Sequence, residues 1–411
     1  MVHAIHHGAR RLLLSAAVLV AMLIGTLPAH AQQIRKTMLR LPDTGQNQNF
    51  TPLTGEDSDH PSMPMGFVVE SGTVRDTVTG LMWQQVDGGE MTWTQARAYC
   101  DTLTLGGFSD WRLPIGHELF SIHDFSHGNP AFPDAFTRTQ AEYWWSSDTL
   151  VGDGRRIWCT NAGGGIGPHP MTETISAGGA KRFHVRAVRD VVQPSLIPAQ
   201  FTENAVETID DHITDRLWMQ FCVPGSYTWE DALRTADTIT HAGYADWRVP
   251  NIKELQSLSV RSMKTPTTDI RFFPCVMPTG SYWSSTTLVN KTLTQAWILQ
   301  SELGIATYAE KATSQGLILI RGGDRLVSVD DDDATRDVSA SPNHVFPNPT
   351  NSRVHLGSVF ERIRVFTTAG VEVRAAESAE TVDLSGLAVG VYVLTCTDMQ
   401  GMITTFTVWK Y

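Results

Sequence analysis

The chain has 411 residues, a formal net charge of −11, and 42% hydrophobic against 18% charged residues. That length holds two or three domains of the usual ~100–200 residues, with enough apolar content for globular cores. The acidic balance argues against nucleic acid, which demands a positive footprint, and against anionic polysaccharides unless a basic patch is segregated locally.

The N-terminus sets the compartment. Arg10 and Arg11 precede an apolar run from Leu12 to Ile24, and Ala29-His30-Ala31 offers a small-x-small cleavage site. This is the layout of a secretory signal peptide over residues 1–31, with a run too short to span a membrane comfortably. No other segment approaches ~18 consecutive apolar residues, so an integral membrane protein is not expected. Export permits disulfides. Among Cys100, Cys159, Cys222, Cys275 and Cys396, the simplest pairing by domain is Cys100 with Cys159 and Cys222 with Cys275, leaving Cys396 as a buried small residue in a strand. No CxxC is present, which argues against structural zinc and thioredoxin-like chemistry.

An internal repeat organises residues 32–326, as a first domain over 32–192 and a second over 193–326. The first copy reads TGLMWQQ (Thr79 to Gln85), TWTQARAYCDTL (Thr92 to Leu103), DWRLP (Asp110 to Pro114) and Glu118-Leu119. The second reads TDRLWMQ (Thr214 to Gln220), TWEDALRTADTI (Thr228 to Ile239), DWRVP (Asp246 to Pro250) and Glu254-Leu255. The offset is a constant 136 residues from Thr92 to the Glu-Leu pair, and the match continues at Trp145-Ser146-Ser147 against Trp283-Ser284-Ser285. It closes at Val185-Arg186 against Ile320-Arg321.

Each copy predicts helix, helix, then strands, an α+β unit. Thr92 with Gln95 forms a capping box, and Thr228 with Asp231 is its weaker counterpart. Trp93, Ala96, Cys100 and Leu103 fall on one helical face, as do Trp229, Ala232, Ala236 and Ile239. Gly106-Gly107 and Gly243 stop these helices, and Pro114 and Pro250 stand where a second helix could begin. Residues 327–344, with Asp330 to Asp333, read as an acidic linker; a calcium loop would need an alternating Asp-x-Asp-x-Asp-Gly pattern that is absent. From residue 345 to 411, short alternating strands with regular turns predict an all-β sandwich.

Two resemblances follow from these motifs. The repeat resembles the Lcl C-terminal domain family, whose Thr-Gly-Leu-Met-Trp, Thr-Trp, Asp-Trp-Arg-Leu-Pro, Glu-Leu, Trp-Ser-Ser and Val-Arg pieces occur here in order, twice. That resemblance implies a C-type-lectin-like or sulfatase-modifying-factor-like fold, two helices against a mainly antiparallel sheet, and adhesion through sulfated glycans. Family members often carry a cysteine in the closing strand where this chain has Ala187, so Cys159 becomes the substitute partner for Cys100. The tail is similar to the type A C-terminal sorting domain of the type IX secretion system, through Pro347-Asn348-Pro349, Asp383-Leu384-Ser385-Gly386-Leu387 and Gly390-Val391-Tyr392-Val393-Leu394. It implies a Bacteroidota-type host, contact with the outer-membrane secretion machinery, and a secreted or surface-displayed product.

No catalytic constellation stands out, and neither cofactor nor metal is expected. His123, Asp124 and His127 form an H-D-x-x-H cluster, but the second copy has no histidines in the matching region. Asp110, Trp111, Arg112 and Glu118, with Asp246, Trp247, Arg248 and Glu254, read as scaffolding, because tandem copies share scaffolding before sites; Trp93 and Trp229 belong to the same set. Ser146-Ser147 and Ser284-Ser285 lack a G-x-S-x-G setting. The expected ligand-binding surface is the stretch holding Tyr143, Trp144, Trp158, Asn161 and Gly163 to Gly165, where aromatics would stack on sugar rings. The chain is therefore expected to be a non-enzymatic adhesin or glycan-binding protein, for neutral glycans or protein ligands rather than heparin-like ones. The alternative is a structural or protein-interaction module of the cell surface.

Overall fold

The computed structural model describes residues 33–322 and 353–410, except 138, 173–174, 177–178, 181–182, 368–370, 389, 400 and 402. The signal-peptide segment and the acidic linker lie outside the described residues. The chain divides into two compact units, 1–327 and 328–411.

In the first unit each repeat opens with a small antiparallel sheet. In the first copy, Phe67–Glu70, Thr73–Asp76 and Leu81–Gln84 meander, and Val188–Asp190 returns to close the sheet against Leu81–Gln84. In the second, Phe201–Asn204, Thr208–Asp211 and Arg216–Met219 do the same, closed by Ile320–Arg321. Two helices follow in each copy: α1 (Trp93–Thr102) and α2 (Gly116–Ser121), then α3 (Trp229–Thr238) and α4 (Ile252–Ser257). Gln95 N–H donates to the Thr92 hydroxyl while Thr92 N–H donates back to Gln95 Oε1, completing the capping box of α1. At α3 the Thr228 hydroxyl accepts from Asp231 N–H. Pro114 and Pro250 do not start their helices but stand one residue before the caps Ile115 and Asn251. Their carbonyls accept from Ser147 N–H and Ser285 N–H, both at 2.8 Å, which pins each helix start to the sheet.

The repeats do not stand apart: one nine-stranded sheet runs through both. Its order is Phe183–His184, Tyr143–Leu150, Asp153–Asn161, Ile166–Pro170, then Ile305–Glu310, Gln295–Gln300, Ser281–Thr287, Gln315–Leu317 and Val223–Tyr227. The halves meet where Ile166 pairs with Ala306. In the first copy the register runs Trp144–Thr160–Ile166, and in the second Tyr282–Leu299–Ala306. Ile166 and Ala306 are thus equivalent positions facing each other, the mark of an isologous, two-fold contact within one chain.

Both faces of this sheet are covered. Trp145, Ile157 and Cys159 pack with Ala96 and Cys100 of α1, while Trp144 packs with Leu119 of α2 and Ile122. A third cluster, with Phe120, Trp158, Ile166, Ile252, Trp297 and Ala306, draws on both repeats.

A segment ahead of the first repeat sews the halves together, a feature the repeat pattern does not announce. Gln46 Nε2 donates to the carbonyls of Phe125 and Thr287 at 2.9 and 2.6 Å, and Thr287 N–H donates to Gln46 Oε1 at 3.2 Å. Ile34–Lys36 also pairs with Ser195–Ile197 in a two-stranded ribbon. In the second unit the described strands form one four-stranded antiparallel sheet, in the order Glu372–Asp383, Arg353–Thr367, Gly390–Thr397, Ile403–Lys410. A second layer of the expected sandwich is not among the described residues. Cys396 is buried in this unit's core.

Candidate ligand groove

The repeated motif builds the same scaffold twice. Arg112 forks onto Glu118 with two bonds of 2.8 Å, and Arg248 onto Glu254 with bonds of 2.7 and 2.6 Å. Each glutamate also accepts the N-cap backbone N–H of its own helix, so the fork fixes where the short helix begins. Asp110 pairs with Arg189, and Asp246 with Arg321, tying the motif to the closing strand. The indole N–H of Trp93 donates to the Ser146 carbonyl and that of Trp229 to Ser284, at 2.9 and 2.8 Å. Trp111 donates to the Phe108 carbonyl and Trp247 to His241. These side chains hold one another, and Glu118 and Glu254 lie fully inside the protein.

The cysteines divide. Cys222 and Cys275 are bridged, with Cα atoms 5.6 Å apart. Cys100 and Cys159 are not: both are buried thiols in one apolar cluster. A shared core is a weaker condition than the ~5.5–6 Å Cα separation and matched Cβ directions a bridge needs. Burial pushes the Cys100 thiol up to about 12, so it is inert.

Two of the expected sugar-stacking residues are core residues. Trp144 is 4% exposed and donates its indole N–H to Asp87 Oδ2 at 3.2 Å. Trp158 is 1% exposed beneath the Arg261 guanidinium, 3.8 Å from its ring centre. The reason is the pleat: adjacent residues of a strand point to opposite faces, and here both faces carry helices. Tyr143 and Asn161 keep their place at an opening. Tyr143 stacks on Phe183 at 4.9 Å and meets the His169 ring edge-on at 4.8 Å. Asn161 Oδ1 accepts from Gly163 N–H and Gly165 N–H, which shapes the turn beside it. Gly164, at φ +97°, lets that turn fit between Phe125 of its own copy and Trp297 of the second, since a Cβ there would lie 2.9 Å from Phe125 and 3.4 Å from Trp297.

This opening is a groove of about 780 Å³ on the seam between the repeats. Tyr143, Asn161 and His169 line it from the first copy, and Gln295, Thr307 and Tyr308 from the second, over buried Ile166, Trp297 and Ala306. Tyr308 is 50% exposed, with its ring edge toward Trp297 at 6.0 Å. It escapes a sequence reading because the second copy's strand offers no motif around it. Its one signal is being the lone aromatic in Ile305–Glu310, at a position whose strand neighbours are small. Among the described residues the lining carries Glu142 as its carboxylate and neither lysine nor arginine.

The H-D-x-x-H cluster comes apart. His123 is in the core, its Nδ1 3.0 Å from the Ala131 carbonyl, and burial holds its pKa down to about 3. Asp124 faces His127 at 3.2 Å nearer the surface. Among the described residues no group of three potential metal ligands gathers. Among the buried carboxyls, Asp57 is pushed up to about 7 by burial and by Asp43, with Oδ2 accepting from Thr44 and Thr286. It sits in the N-terminal segment, locked between hydroxyls of both halves.

Comparison with known proteins places this architecture. The Lcl C-terminal domain family matches residues 72–189 and again 207–321, more than half of the chain. The chain belongs to the Lcl C-terminal domain family. Residues 344–410 match the secretion system C-terminal sorting domain, which makes this Lcl-type chain a type IX secretion substrate, exported to the cell surface or released. No helix among the described residues is long and apolar enough to cross a membrane. No curated protein matches the sequence. One similar solved structure is described as PorZ, an essential bacterial surface component of the type-IX secretion system of Porphyromonas gingivalis. It shares 12% identity over 65% of this chain and 30% of that one, with a TM-score of 0.16, too low to bear on fold or function.

Proposed function

We propose that this exported Lcl-type protein is a non-catalytic adhesin that binds glycans at the cell surface, each repeat being a C-type-lectin-like unit. The observation that carries the reading is the seam groove, where the half-exposed ring of Tyr308 and the partly buried ring of Tyr143 stand among uncharged hydrogen-bonding side chains. Such a lining suits sugar rings, which offer C–H faces to aromatics and hydroxyls to amides. The carboxylates of the repeated motif are held in ion pairs that shape the fold, consistent with a role other than proton transfer.

A second reading, a protein-interaction module, draws on the apolar side chains near the Ile34–Lys36 ribbon, where Leu39, Val192 and Leu196 are exposed. A glycan array probed with the full chain, at low and moderate salt and with and without calcium, separates the two. Saturable binding to a defined glycan class supports the adhesin. Absence of binding under every condition favours the interaction module, to be followed by pull-down from outer-membrane extracts.

A further inference from the structure

We infer that the two repeats build one composite site, which takes a single uncharged oligosaccharide chain laid across the seam. The inference rests on the glycan-binding reading and says where, how many, and of what charge.

The number follows from symmetry. Because Ile166 and Ala306 are equivalent and pair with each other, the groove lies on the internal two-fold axis. A ligand on that axis touches both copies at once, so the chain offers one such site, and a repeat by itself holds only half of the walls. The axis is broken in the side chains. By strand register Tyr308 takes the place of Pro168, and Ala309 that of His169. By the Trp145–Trp283 match, Ser281 stands where the first copy has Tyr143. The first copy thus contributes Tyr143 and His169 to the lining and the second Tyr308, which strand alternation directs to the other face of the sheet, so the groove is asymmetric.

The ligand class follows from charge. A sulfated or uronic chain needs cations, and the described lining offers none, while Glu142 adds a negative group at the rim. The net charge of −11 repels polyanions from further away. What the walls do offer is neutral: Asn129, Asn161, Asn290, Gln295 and Thr307, with Tyr308 open to stack. A volume of about 780 Å³ falls within the range of roughly 300–1,000 Å³ typical of small-molecule sites, enough for a short stretch of a sugar chain.

The test is calorimetric titration of the full chain with the neutral oligosaccharide bound best on the array, beside a heparin hexasaccharide. Tyr308→Ala and Tyr143→Ala are compared with Leu196→Ala, an exposed site away from the groove. Near-unchanged thermal melting of each variant establishes that it folds; Tyr308, being half exposed, is the safer of the two.

Expected are one equivalent per chain and binding at least about tenfold weaker in either tyrosine variant, the equivalent of about 1.4 kcal/mol. The affinity should also change little between about 50 and about 300 mM salt. Two equivalents per chain would overturn the composite site, as would binding untouched in both folded tyrosine variants. Binding of heparin alone would overturn the neutral ligand. Each of these leaves the adhesin reading standing; silence of the whole array removes the adhesin reading and this inference together.

Discussion

Lys253 Nζ donates to the carbonyl of Ser121 at 2.7 Å, joining α4 of the second repeat to the last residue of α2 in the first. The same ammonium donates to the Asp43 carbonyl at 2.7 Å, so one buried cation ties both halves and the N-terminal segment together. With the shared sheet, this makes the repeats a single cooperative body. In urea, tryptophan fluorescence of the full chain should show both repeats unfolding in one transition. Lys253→Met, which strands two buried carbonyls, should shift that whole transition down by about 2–5 kcal/mol. Two separate repeat transitions would contradict the account.

The forks predict a contrast between buried and exposed pairs. Glu254 is fully buried, holds Arg248 and Arg216, and is kept down to about 2 chiefly by Arg248 against the cost of burial. Glu254→Ala leaves two buried guanidinium groups without their carboxylate, and should cost about 3–5 kcal/mol. Asp110 is mostly exposed beside Arg189, and Asp110→Ala should cost no more than about 1 kcal/mol. Urea midpoints at neutral pH give both values.

Much of this scaffold is legible in the sequence. The offset of 136 residues announces the duplication, the Thr92–Gln95 box marks a helix start, and Asp-Trp-Arg with Glu-Leu marks a paired fork. Other features are not, for physical reasons. Adjacent tryptophans such as Trp144 and Trp145 must face opposite ways, but only tertiary packing says that neither face is open. Asp57 and Lys253 look like surface charges until partners distant in sequence enclose them. Tyr308 becomes a groove residue only because the second copy docks edge to edge on the first.

Stability should respond to pH through two buried groups of opposite sign. Asp57 is raised to about 7 in the fold, so its contribution is complete below about pH 4 and is lost as pH rises through about 7. His123 is lowered to about 3, so its contribution is present above about pH 6.5 and is lost as pH falls toward 3. Each predicts a slope of up to about 1.4 kcal/mol per pH unit within its window. The difference in unfolding free energy between the parent and Asp57→Asn should therefore vary across about pH 4–7, and that for His123→Phe across about pH 3–6.5. Flat differences in these windows would contradict the assigned burial.

The thiols predict a labelling pattern. Cys100, Cys159 and Cys396 are buried, and Cys222 and Cys275 are bridged. Iodoacetamide should leave the native chain unlabelled, label the three unbridged cysteines after unfolding, and reach the remaining two only after reduction. Replacing both Cys222 and Cys275 with serine should cost about 2–5 kcal/mol in the thermal or urea midpoint.

The most direct test of the central claim is hydrogen exchange on the full chain, with and without the array's best neutral oligosaccharide. The account predicts that ligand slows exchange together in Ile166–Pro170 and Ile305–Glu310, the strands that meet at the seam, and in the Gly163–Gly165 turn. Protection confined to one repeat, or appearing away from both strands, would contradict a site shared between them.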